Sequence, residues 1–275
     1  MKPLSEFAFA ARAGIRGVFF DIDDTMTTDG KLTAEAYLAL DQLKNQGLLV
    51  IPVTGRPAGW CDHIARMWPV DGVVGENGAF YFTYDTAQHK LLKRFVSLEK
   101  AGGENRTARK ARLAEIAAHI LREVPGSALA SDQGYREADI AIDFCEDVPA
   151  LPRAAAERIA TLMREAGLTA KISSIHVNGW FGEYDKLSTT VLFMHEQCGI
   201  DLEGAKNAFV FVGDSPNDAM MFGYFPYSIG VANVRDFTGA LPALPAFVTE
   251  KRCGEGFAEV VKMLSDARRG RNTTS

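Results

Sequence analysis

Gly17-Val18-Phe19-Phe20-Asp21-Ile22-Asp23-Asp24-Thr25 runs an apolar stretch straight into a group of acids. Gly17 to Asp21 reads as a short buried strand that delivers Asp21 and Asp23 to its carboxyl end. Side chains alternate faces along a strand, so residues two apart point the same way. Once the strand breaks at Asp24-Thr25, both carboxylates face a common space. Two anions held together there repel each other unless a proton or cation intervenes. A hard divalent cation bound through oxygen is the economical remedy.

Working outward, strands and helices alternate. Thr33 is placed to cap a helix reaching Asn45, with Tyr37, Leu40 and Leu43 at helical spacing and Gly47 as its stop. Leu48–Val53 reads as a second strand, ending at Thr54-Gly55-Arg56. A helix over Ala58–Met67 then leads to a short third strand at Gly72-Val73-Val74. This order predicts a parallel sheet covered on both faces.

The pattern then changes. Ala79–Tyr84 and Leu91–Val96 read as a hairpin, and Ala108–Val124 and Ala154–Ala166 as amphipathic helices. Strands are expected at Ala128–Gln133, Ala138–Phe144, Lys171–Val177 and Trp180–Tyr184. After Asp185 the first pattern resumes, with a helix over Leu187–Cys198 and an apolar strand over Ala208–Val212. Gly213-Asp214-Ser215-Pro216-Asn217-Asp218 follows, then a helix from Asn217 and strands at Tyr227–Val231 and Phe247-Val248. The expected architecture is α/β: a Rossmann-like parallel sheet core, residues 1–83 and 185–275, carrying an inserted α+β cap domain at 84–184.

Composition bounds the function. The 275 residues are 47% hydrophobic and 24% charged, which suits a globular chain with ample core. A net charge of -5 argues against nucleic acid as the main partner, which calls for a basic surface. No segment approaches the roughly 18 apolar residues of a membrane span, and the start lacks a signal-peptide pattern, so a cytoplasmic location is expected. Cys61, Cys145, Cys198 and Cys253 are scattered and read as reduced thiols. The basic end, Ala267–Ser275, reads as frayed.

Four stations thus fall at strand ends or a helix start: Asp21/Asp23/Thr25, Thr54, Lys186, and Asp214/Asn217/Asp218. That edge of a parallel sheet is where ligands bind. A nucleophile, a proton carrier, a hydroxyl, an ammonium and a carboxylate cluster for a metal make a phosphoryl-transfer set. In this order the motifs resemble the haloacid dehalogenase-like hydrolase superfamily. Glu76-Asn77-Gly78-Ala79, the position of the insert and Gly230-Val231-Ala232-Asn233 are similar to its Cof-type branch, subfamily IIB, whose layout sucrose-phosphate phosphatase and mannosyl-3-phosphoglycerate phosphatase share. Asp24 departs from the glycine common at its position.

The resemblance implies a magnesium-dependent phosphatase acting on a small phosphate ester, most simply a sugar phosphate. Asp21 would be the nucleophile and Asp23 the acid–base residue. Thr54, Gly55, Lys186 and Asn217 would hold the phosphate. Asp21, Asp214 and the backbone carbonyl of Asp23 would hold Mg2+, with Asp218 in support. Arg56 reads as either a substrate contact or a surface salt bridge. His176, Asn178 and Glu183 read as structural or as leaving-group contacts, and Arg136 stands alone. Arg106, Arg109, Lys110 and Arg112 read as a solvated helix end, or else as the second phosphate site of a phosphomutase of the phosphomannomutase type. A non-catalytic phosphometabolite-binding protein is the third reading. Neither the ester nor the oligomeric state follows from the sequence.

Overall fold

The protein is described by a computed structural model covering residues 1–97 and 105–272. Its strands are β1 (Lys2–Pro3), β2 (Gly17–Phe20), β3 (Leu49–Pro52), β4 (Val73–Gly75), β5 (Phe80–Asp85), β6 (Lys90–Phe95), β7 (Ala128–Leu129), β8 (Asp139–Asp143), β9 (Thr169–Ile172), β10 (His176–Trp180), β11 (Phe209–Gly213), β12 (Ser228–Gly230) and β13 (Phe247–Val248). Six of them form a sheet of order β1-β13-β12-β11-β2-β3, parallel throughout.

Both faces of that sheet are covered, which is why its strands read as unbroken apolar runs. Val18 and Phe20 of β2 pack into one core with Val50, Val210 and Val212, against the helices Ala34–Asn45 and Cys253–Asn272. Phe19 faces the opposite core, with Ile51, Phe209, Phe211 and Phe193. Thr33 caps the first helix as expected, its hydroxyl accepting from the Ala36 N–H at 3.2 Å. That helix buries Ala36, Ala39, Leu40 and Leu43, whereas Tyr37 turns outward.

β2 lies between β3 and β11, so the chain leaves it on one side first and returns on the other later. Such a reversal opens a crevice at the carboxyl ends of the strands. Asp21 and Asp214 follow directly on β2 and β11, and Thr54 stands two residues beyond the end of β3.

A second sheet, β4-β5-β6, is antiparallel and contains the expected hairpin. The third strand expected for the parallel sheet is therefore corrected. β4 touches that sheet only by a single bridge, Val53 to Val74, and otherwise pairs with β5. A division at residue 84 would pass through β5.

Residues 106–180 build a four-stranded antiparallel sheet, order β7-β8-β10-β9, backed by the helices Arg106–Glu123 and Arg153–Glu165. It has its own core, including Leu113, Ile120, Ile142, Ile159 and Val177. Two strand expectations fail here. Ser173 accepts the N–H of His176 at 3.0 Å and turns the chain, so the second strand is His176–Trp180 and not Trp180–Tyr184. The run from Ala128 is extended only to Leu129 and then coils into a short helix at Gln133–Tyr135.

The terminal helix corrects the frayed-tail expectation as far as Asn272. Ala267 is buried, and Arg268 donates to the carbonyls of Ile15 and Gln46. Residues 273–275 lie outside the described residues, as do 98–104.

Candidate active site

Asp21 continues the sheet ladder, its N–H donating to the Val212 carbonyl at 2.9 Å, so its carboxylate is fixed at the sheet edge. Beyond it the chain enters the left-handed region at Asp24, with φ of 54°. Glycine is the default residue for such a backbone, and Asp is among the few others that tolerate it. This accounts physically for both the common glycine and the substitution.

Lys186 opens the helix Lys186–Cys198, held by a capping box between Asp185 and Ser188. Its buried ammonium lies 3.1 Å from Asp21 Oδ1 and 2.8 Å from Asp218 Oδ1. Lys186 is therefore no solvated surface lysine. Asp218 Oδ2 accepts the N–H of Asp214 at 3.1 Å and of Ser215 at 3.4 Å. Asp218 is thus a scaffold for both the ammonium and the Asp214 loop. Asp214 accepts from the Thr25 hydroxyl at 2.9 Å.

Oxygen atoms of Asp21, Asp214 and Asp218 lie within 4.8 Å of one another, all buried. Burial pushes the Asp21 carboxyl up to about 8, with Lys186 opposing and Asp218 and Asp23 adding to the rise. Burial, Asp218 and Asp21 likewise hold Asp214 well above the usual carboxylate range. The same two aspartates, Asp21 and Asp218, raise Lys186 despite its burial. The cluster is short of positive charge. Asp21 and Asp214 offer a hard-oxygen pair suited to a divalent cation, while Asp218 is tied to the Lys186 ammonium and the Asp214 loop.

The carboxylate of Asp23 goes elsewhere. Arg56 donates to it through Nε and Nη2, at 2.9 and 2.7 Å to Oδ1. Arg56 is buried and also donates to Glu146 and Asp132 of the four-stranded unit, so the surface-salt-bridge reading is corrected. His176 Nε2 lies 2.9 Å from Glu146 Oε2. Arg136 does not stand alone: buried, it ties Asp132, Asp139 and the Gly55 carbonyl together. Asn178 donates to Asp139 at 2.9 Å, and Glu183 is exposed.

Asp21, Asp23, Gly55, Arg56, His176, Asn178 and Asn217 surround a cavity of about 10 Å³. That is room for roughly one water. Asn217 Oδ1 accepts from Ser215 at 2.7 Å. The Thr54 hydroxyl accepts the Arg56 N–H at 3.1 Å, fixing the loop after β3.

Two residues escaped a role in the sequence reading. Buried Asn233 donates to the Asp24 carbonyl at 2.9 Å and to Asp214 Oδ2 at 3.3 Å. Glu76, fully buried with φ of 42°, accepts N–H groups from Ala58, Glu137 and Ala138, joining two units at one carboxylate. Their signal was present in the quoted motifs around Glu76 and Asn233, but no local rule assigns partners so distant in sequence. The basic run is corrected too. Arg106 and Lys110 pair with Glu137, Arg109 is buried, and Arg112 stacks on Phe181.

Residues 18–102 match the family model described as haloacid dehalogenase-like hydrolase. No curated protein matches the chain. Among solved structures, a Thermoplasma acidophilum protein is 18% identical with a TM-score of 0.66, covering 91% of this chain and 98% of that one. A Synechocystis sucrose-phosphatase, in complex with sucrose and phosphate, is 12% identical with a TM-score of 0.60, covering 91% and 98%. A sugar phosphatase of HAD subclass IIB is 12% identical with a TM-score of 0.58, covering 91% and 99%. The chain is similar to the haloacid dehalogenase-like hydrolases over residues 18–102, and similar to these structures in fold. Among the described residues, no helix is long and apolar enough to cross a membrane.

Proposed function

We propose that this chain is a magnesium-dependent phosphatase of small phosphate esters, sugar phosphates foremost, working through an aspartyl-phosphate. The observation that carries this reading is the contact of Lys186 with Asp21 at 3.1 Å beside Asp214. It brings a nucleophile, a cation for phosphoryl oxygens and a metal-binding carboxylate to one sheet edge.

Asp21 attacks phosphorus in line, and the bond from phosphorus to the leaving oxygen breaks. Asp23 gives its proton to that oxygen, then takes one from the water that cleaves the aspartyl-phosphate, releasing inorganic phosphate and restoring Asp21. Lys186, the Gly55 loop, Thr54 and Asn217 bind the phosphoryl oxygens, and Asp218 keeps the ammonium in position. Asp21, Asp214 and the Asp23 carbonyl would hold Mg2+, which would neutralise charge on the phosphoryl group.

The four-stranded unit, within residues 84–184, acts as the cap. Closed on Arg56, it leaves too little space for a phosphoryl group, so substrate entry requires it to lift and part Glu146 from Arg56 until it closes again. Closure then excludes water and strengthens the electrostatic contacts beneath.

The test is phosphate release from a panel of phosphorylated metabolites, with and without magnesium, for the wild type and Asp21→Asn. Release by the wild type and its loss in the variant are expected. Magnesium-dependent turnover retained by Asp21→Asn would remove the nucleophile assignment. Phosphate binding without turnover would favour the sensor reading.

A further inference from the structure

We propose that Arg56, Glu146 and His176 form a leaving-group subsite that accepts an uncharged, hydroxyl-bearing moiety and rejects one carrying a second anionic group. This rests on the phosphatase reading, in which Asp23 protonates the leaving oxygen. Whatever flanks Asp23 around the cavity it lines then faces the leaving group. Those neighbours are Arg56 on Asp23, Glu146 on Arg56 at 2.6 Å, and His176 on Glu146 at 2.9 Å.

A second phosphate or carboxylate needs a cation with donors to spare. Arg56 has none: Nε and Nη2 serve Asp23, Nη1 reaches Asp132 and Glu146, and Nη2 also serves Glu146. Its guanidinium is further fixed over the Trp60 ring, 4.4 Å from the centroid. Arg136, the other guanidinium lining the cavity, is committed to Asp132, Asp139 and the Gly55 carbonyl. A second anion would meet the carboxylates of Glu146, Asp132 and Asp23 without a free guanidinium among the described residues of this cavity, and like charges at that range repel.

A hydroxyl meets the opposite situation. A carboxylate offers about four acceptor positions, and Glu146 spends only part of them on Arg56 and His176. The Asn178 amide adds a further polar edge, already oriented by Asp139. The same committed cations leave a phosphomutase without a second phosphate anchor among the described residues of this cavity.

The experiment compares kcat/KM for p-nitrophenyl phosphate, a hexose monophosphate, the matching hexose bisphosphate and a phosphoglycerate, in the wild type and in Glu146→Gln. The wild type should favour the hexose monophosphate over both competitors, each of which carries a second anionic group, by about 10-fold or more. Glu146→Gln removes one negative charge and frees part of the guanidinium, so the preference should shrink severalfold. Equal or better use of the bisphosphate or phosphoglycerate by the wild type would overturn the proposal, and would do so even if the variant failed to fold. An unchanged preference in a folded Glu146→Gln would overturn it as well. Turnover of p-nitrophenyl phosphate separates the two levels: if it persists while the preference fails, only the subsite is wrong. If no ester is turned over, the phosphatase reading falls and takes the subsite with it.

Discussion

Arg56 grips Asp23 along its carboxylate edge, with Nε 2.9 Å from Oδ1 and 3.0 Å from Oδ2, and Nη2 2.7 Å from Oδ1. The same guanidinium reaches Glu146 at 2.6 Å, so one side chain ties the sheet edge to the four-stranded unit. In the proposed reaction, opening that unit parts Glu146 from Arg56, and closing restores the tie.

Arg56→Ala leaves three carboxylates facing one another without their shared cation. Breaking a buried pair from one side costs about 3–5 kcal/mol. Arg56→Lys keeps the charge but not the planar fork, and should recover only part of the loss. Urea unfolding measures both. A lysine variant within about 0.5 kcal/mol of the wild type would show that the fork is not used.

Gly78 has φ of 105°, and a Cβ there would stand 2.1 Å from the Asp185 carbonyl oxygen. Backbone meets backbone at this point, where the chain returns to open the Lys186 helix. The Thr189 hydroxyl donates to the Gly78 carbonyl at 2.6 Å and binds the two segments further. Gly78→Ala should destabilise by about 2–4 kcal/mol, through strain and the forced shift together. Its Tm should fall by several degrees in a thermal melt. A melt that superimposes on the wild type would contradict the close approach.

Asn233→Ala should weaken magnesium binding by about 10–100-fold, the usual cost of losing a partner that orients a ligand. Asn233 donates to Asp214 Oδ2 and the Asp24 carbonyl while accepting the Cys253 N–H at 2.9 Å. Titration calorimetry with magnesium alone reads this directly. Equal affinity in variant and wild type would reduce Asn233 to a loop brace.

The tie between the units should also weaken in acid. Burial raises the Glu146 carboxyl, but its bonds to His176 and Arg56 prevail and bring it down to about 2, from a usual 4.5. A group depressed on folding contributes its stability above its unfolded value and loses it as pH falls toward the folded one. The contribution of Glu146 is therefore complete above pH 4.5 and disappears between there and about 2. Unfolding curves of the wild type and Glu146→Gln should diverge most above that window and converge below it. A constant difference across the range would refute the linkage.

What the amino-acid order determined by itself was local. Alternation placed Asp21 at the end of β2, and the Thr33 cap marked the start of its helix because a side chain satisfies free N–H groups within one turn. The motif order brought Asp21, Lys186 and Asp214 forward as one set, and the fold joins them. The interrupted strand at Ser173 was hidden because the turn depends on side chain-to-backbone bonds that apolar spacing does not encode.

Only the tertiary structure decided the rest: that Arg56 is buried across 90 residues of sequence against Glu146, that Glu76 joins the Ala58 helix to Ala138, and that Asn233 holds Asp214. The reason is energetic. A lone charge reads as surface because burying it unpaired costs several kcal/mol. Burial becomes acceptable only when distant segments supply its partners, and no window of neighbouring residues contains them.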